Sequence, residues 1–212
     1  MRGALLLMAL LATGCAYKVT PMSARAVNVY SSHDDKVPGR YGLVIDPSVL
    51  EVHRVVTPMS HVCSAHSYPV QMDDVLAQSV RHTMEMVFEE VTDLQVAPLS
   101  ANYGETGMAG YAVVKLDEFR PRVTCSPGFW SVTCSATTEV IFAVSVRGPG
   151  GLLLSTSAGG SKTVDGSGGQ YCDGAAVVLS ESIEKATRDA LERLAERVSS
   201  SNKLRPPRAA AH

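Results

Sequence analysis

The chain has 212 residues, a formal net charge of −2, and 45% hydrophobic against 19% charged residues. That is enough length and apolar content for one domain with a real core. Its near-neutral charge and scattered basic residues exclude the positive footprint that nucleic-acid binding requires, so no nucleic-acid partner is expected.

Residues 1–14 open with one positive charge, Arg2, then an apolar run from Ala4 to Ala12, then small residues before Cys15. Charged, apolar and small-residue regions in that order are the layout of an export signal. The apolar run is about half of the ~20 residues needed to cross a bilayer as a helix, so it reads as a segment to be removed. Thr13-Gly14-Cys15 resembles the bacterial lipobox, with Ala12 standing where leucine is commonest and Leu11 displaced by one position. The resemblance implies cleavage before Cys15, a diacylglycerol on its sulfur and a third acyl chain on its freed amino group. Two or three such chains anchor a protein stably where one does not. Ala16 rather than Asp follows the cysteine, which by the enteric sorting rule implies the periplasmic face of the outer membrane.

Residues 15–40 are polar and mixed, with Pro21, Pro38 and Asp34-Asp35, and read as a lipidated terminus and tether that lifts the domain off the lipid. A single domain is expected over 41–200. Tyr41 to Ile45 and the alternating Val49 to Val56 predict strands, and His61 to Tyr68 a third extended piece. Met72 to Val91 predicts a helix, because Met72, Leu76, Val80, Met84, Val87, Phe88 and Val91 recur at three- and four-residue steps. Gly110 to Phe119, continuing through Cys125, then Ser131 to Val146 and Leu152 to Val164 predict three strands joined by tight turns, an antiparallel meander. Ala175 to Val198 predicts the last helix, and residues 201–212 a disordered tail.

This order, β-α-β-β-β-α, implies an α+β fold: a mostly antiparallel sheet with two helices packed on one face. Together with the lipobox and polar tether it resembles the small outer-membrane lipoproteins of the YajG type and, more distantly, the penicillin-binding-protein activator lipoproteins. The resemblance rests on the order of elements.

Beyond Cys15 there are Cys63, Cys125, Cys134 and Cys172, an even number in a chain expected to reach an oxidising compartment. Two disulfides are expected. Three pairings exist, and the favoured one joins Cys125 to Cys134, which sit in matching Val-Thr-Cys-Ser frames about a Pro127-Gly128 turn, leaving Cys63 for Cys172. A metal site is not expected: no Cys-x-x-Cys unit is present, and His61, Cys63 and His66 would not converge on one side of a strand. Gly166-Ser167-Gly168-Gly169 lacks the frame of a nucleophile elbow and of a phosphate loop and reads as a flexible connector. Phe129 and Trp130, at a hairpin tip, are a candidate binding surface, with packing beneath the sheet as the alternative. The expectation is a non-enzymatic accessory module without cofactor, anchored to the membrane by lipid and binding an envelope protein or polymer. A subunit of an export or transport assembly and a periplasmic hydrolase are the alternatives.

Overall fold

The computed structural model describes residues 15–21, 35–98 and 107–205. The expected signal segment, 1–14, and the end of the expected tail, 206–212, lie outside the described residues. The elements run β1 (Val37–Ile45), α1 (Pro47–Leu50), β2 (His53–Val56), β3 (Tyr68–Gln71), α2 (Asp73–Val87), β4 (Phe88–Leu94), β5 (Gly110–Pro127), β6 (Val132–Gly148), β7 (Gly151–Gly169), α3 (Gly174–Ser199) and a short 3-10 turn at Asn202–Leu204. The fold is α+β, with a main sheet in the order β4-β1-β5-β6-β7 and a small sheet of β2 and β3.

The antiparallel meander β5-β6-β7 forms the body of the main sheet. Along β6 the even-numbered residues from Cys134 to Val146 are buried, and their neighbours are half-buried or exposed. That period of two turns one face toward α3. α3 lays Leu179, Ile183, Ala186, Ala190, Leu191 and Leu194 against this face, all of them fully buried. Contact is very close at Gly160 of β7, where a Cβ would stand 2.2 Å from the Ala186 carbonyl oxygen. Only glycine lets helix and strand backbones meet there. Among the polar side chains buried in this core, Ser182 and Thr138 bond to each other at 2.9 Å between hydroxyl oxygens. α2 packs beside α3 and against β1.

Four elements differ from the expectations, each for a local reason. Val49 to Val56 is not one strand. Asp46 accepts a hydrogen bond from the Ser48 amide at 3.0 Å and Pro47 takes the first position, so a helical turn, α1, precedes a shorter β2. His61 to Tyr68 is a turn until Tyr68, with Cys63 in the left-handed region at φ 66°. The helix expected to Val91 stops at Val87, and the chain passes directly into β4. Phe88 fits both periods and is buried beside Tyr41, ring centroids 4.4 Å apart. Finally β1 is parallel to both its neighbours, β4 and β5, so the sheet is mixed at that side.

The largest difference concerns the expected tether. Val19 and Pro21 are buried, and the amides of Tyr17 and Val19 donate to the carbonyls of Ser67 and Pro69, each at 2.9 Å. Residues 15–21 therefore lie along β3 as part of the domain, and β1 begins at Val37 within the segment expected to be linker. At the other terminus, Leu204 is buried, so the first residues of the expected tail also belong to the core.

Candidate functional site: the end of the domain that carries Cys15

Cys15 stands at the edge of the domain. Its carbonyl accepts a hydrogen bond from the Ser67 amide at 3.3 Å, and its thiol is exposed and free, whereas the other four cysteines are paired. Tyr17, two residues on, donates its hydroxyl to the Tyr171 carbonyl at 2.9 Å and stacks on Tyr68 with ring centroids 6.1 Å apart. Tyr68 is fully buried and donates to the Cys172 carbonyl at 2.7 Å. Burial, then the nearby charges of ionised Tyr17 and Asp173, push the Tyr68 phenol up to about 12.

Cys63 is bonded to Cys172 and Cys125 to Cys134, the pairing favoured from the matching frames. Cys125 and Cys134 face each other across β5 and β6, and Cys63 ties the turn before β3 to the segment before α3. The two bridges adjoin: the sulfurs of Cys63, Cys125 and Cys134 lie within 4.8 Å of one another. All three are in disulfides, so they offer no thiolate to a metal ion. His61 and His66 flank a cysteine already bonded, and the three do not form a ligand set.

The glycines expected to be a connector are instead the end of β7. A Cβ on Gly168 would come within 2.7 Å of the Cys134 sulfur, so these residues are small because the strand presses on a disulfide. Ser167 lies inside that strand, with its hydroxyl accepting from the Gly169 amide at 3.2 Å. It does not occupy the sharp strand-to-helix turn that a hydrolytic serine requires.

Beyond the Cys125–Cys134 bridge the β5-β6 hairpin ends in Phe129 and Trp130, which are 90% and 89% exposed and packed edge to face with centroids 4.8 Å apart. Packing beneath the sheet therefore does not occur. Tyr171, also exposed, rises from the neighbouring segment. The sequence around these residues is uncharged: no Asp, Glu, Lys or Arg occurs in 55–72, 123–138 or 166–172. Beside this end, a cavity of about 360 Å³ is lined by Arg54, Arg120, Arg122 and the exposed Val55 and Met59. Arg120 and Arg122 are already paired with Glu118 and Glu139, which leaves the cavity little net positive charge.

With this geometry in view, the fold has a known counterpart. The crystal structure of protein XCC0632 from Xanthomonas campestris, of the family model DUF330, is similar with a TM-score of 0.50 at 13% identity, covering 86% of this chain and 93% of that one. At that identity the likeness shows a shared fold and carries no activity with it. Lipoprotein GNA1162 from Neisseria meningitidis shares 12% identity over 58% of this chain and 83% of its own, with a TM-score of 0.30, too low to bear on the fold. No family model and no curated protein matches the chain. Among the described residues no helix is long and apolar enough to cross a membrane.

Proposed function

We propose that the chain is a lipid-anchored module of the bacterial cell envelope, acylated on Cys15, that works by binding an envelope protein or polymer and not by catalysis. The observation that carries this reading is the exposed, unpaired Cys15 at the edge of the domain, directly after Thr13-Gly14 and a short apolar run in the sequence. A cysteine in an oxidising compartment that is neither buried nor bridged needs another use, and thioether formation supplies one. The outer membrane is the membrane this reading favours, since Ala16 follows the cysteine.

The binding role draws support from the exposed Phe129-Trp130 tip, a large apolar feature that the domain does not bury. The alternative of a subunit that joins neighbours edge to edge is disfavoured by how the edges are dressed. β4 carries the exposed acids Glu89 and Glu90 near its start and Asp93 near its end, and on β7 the carbonyls of Ser157 and Gly159 already accept from Arg197 and Arg193 of α3. The hydrolase reading loses its serine to the interior of a strand.

The test compares the wild-type chain with Cys15→Ser in a bacterial host. The expected wild-type product has an intact mass beginning at Cys15 plus lipid and sediments with membranes, while the variant gains no lipid and stays unprocessed. Identical processed masses and identical membrane partition for both chains would reject Cys15 as the anchor.

A further inference from the structure

We infer that the Cys15 end of the domain rests directly on the lipid bilayer, with Phe129 and Trp130 inserted among the headgroups as a second contact beside the acyl chains. The inference rests on the anchor reading and adds an orientation to it. Three observations lead to it independently of any relative.

First, there is no spacer. Residues 15–21 are hydrogen-bonded to β3 from Cys15 onward, so a lipid on the Cys15 sulfur cannot be far from the domain surface. Second, the hairpin tip is at the same end. Cys15 contacts Ser67, Cys63 of the same turn touches the Cys125–Cys134 bridge, and the tip lies only a few residues past that bridge. A strand advances ~3.3 Å per residue, so the aromatic pair stands roughly 10 Å beyond the disulfide, enough to enter a headgroup layer ~5–8 Å deep. Third, the chemistry suits an interface. Trp and Tyr carry an apolar body and one polar atom and are favoured where a bilayer meets water, and the three uncharged stretches at this end spare the cost of bringing formal charge against lipid. Lys18, exposed three residues after Cys15, suits an anionic headgroup.

One acyl chain binds marginally, and additional contacts stabilise the bound state. For a triacylated protein the aromatic tip adds little to affinity, and its effect is to hold one orientation: the long sheet stands on the membrane, and the opposite end, with the Gly148–Gly151 turn, faces away.

Trp130 is the sole tryptophan, so its fluorescence reports on the tip alone. The chain from Cys15 onward, which carries the whole described core, is coupled through its free Cys15 thiol to a maleimide-headgroup lipid in phosphatidylethanolamine and phosphatidylglycerol vesicles. Coupling places lipid on the same residue whether or not a cell does so, which separates this test from the anchor test. The expected result is a blue-shifted emission, severalfold less quenching by acrylamide, and stronger quenching by lipids brominated near the headgroup than near the chain end. Phe129→Ser, at an exposed position, should weaken the bromolipid quenching severalfold at equal coupling yield. Emission and acrylamide access that stay as in solution on fully coupled vesicles would overturn the inference. A blue shift that grows with protein concentration without lipid would overturn it too, in favour of a second copy as the occupant.

Discussion

The two ends of this domain are held by different chemistry. The Cys15 end is closed by two adjoining disulfides, and three of its stretches, 55–72, 123–138 and 166–172, hold no formal charge, with Asp173 and Lys18 flanking them. At the opposite end the described residues include no cysteine, and charged groups do the closing: Asp35 pairs with Arg205 at 3.3 Å, Arg40 with Glu90 at 2.7 Å, Lys36 donates to the Glu85 carbonyl at the end of α2 at 2.7 Å, and the Gly39 amide donates to Glu89 at 2.9 Å. Ion pairs require water or close compensation, whereas a disulfide holds equally well in water and against lipid. The division therefore matches a molecule with one end on a bilayer and the other in solution, and it makes the first end sensitive to reductant and the second to salt.

Opening the bridges one at a time tests how firmly the disulfide end is held. Cys63 and Cys172 are 109 residues apart, Cys125 and Cys134 only 9. In the chain-entropy account the longer loop confines the unfolded state more, so Cys63→Ala with Cys172→Ala should cost ~4–5 kcal/mol and Cys125→Ala with Cys134→Ala ~2–3 kcal/mol. Urea unfolding without reductant measures both. The larger loss should come with loosening of residues 15–21, because Cys63 holds the turn on which they lie. Equal losses, or the reverse order, would mean that local packing at the sulfurs outweighs loop closure.

Much of the architecture was legible in the residues because it is written as periodicity. β6 alternates and α3 carries an unbroken apolar stripe, and both lie within two residues of where the pattern places them. Matching Val-Thr-Cys-Ser frames also bring Cys125 and Cys134 to the same register. What was not legible depended on partners remote in sequence. Phe88 and Val91 continue the helical stripe of α2, and only the neighbouring β1 converts them to a strand. Tyr17, Val19 and Pro21 alternate with Lys18 and Thr20, a short signal of a half-buried strand hidden by the polar, proline-containing residues after it. At the site, the cysteine motif located the anchor candidate, but that the turn it touches adjoins the bridge below Phe129 and Trp130 could not be read from residues so far apart. A hairpin tip has no periodicity, so its two aromatics could equally have turned inward.

Tyr68 offers a smaller and pH-resolved test of the same end. Its buried hydroxyl donates to the Cys172 carbonyl, which also accepts from the Ala175 amide at 3.4 Å, and Tyr68→Phe removes the shorter of the two bonds, costing ~1–1.5 kcal/mol at neutral pH. The phenol's ordinary value is 10.0 and the folded protein raises it to about 12, so between those values the unfolded chain loses its proton first. Stability that is whole below pH 10 therefore declines as pH rises toward 12. The phenylalanine variant lacks this component, and the gap between the two proteins in unfolding midpoint should narrow over that interval. A gap that widens there would contradict the buried-donor account.

The smallest effect belongs to the charged end and decides whether it is as independent of the bridges as the geometry implies. Arg205 is only 10% exposed, donates to the carbonyls of Asp35 at 2.7 Å and Ser199 at 3.3 Å, and pairs with the Asp35 carboxylate, which is 71% exposed. Because one partner stands in solvent, screening discounts the ion pair, and most of the value lies in the hydrogen bonds that join the chain after α3 to the lead-in of β1. Arg205→Ala should cost ~1 kcal/mol, and added salt should shrink that difference but not abolish it. Hydrogen exchange should quicken at Ser201 to Leu204 and stay unchanged at Tyr17 and Val19. Faster exchange at both ends would show one cooperative unit, and the contrast between a salt-sensitive and a reductant-sensitive end would then fail.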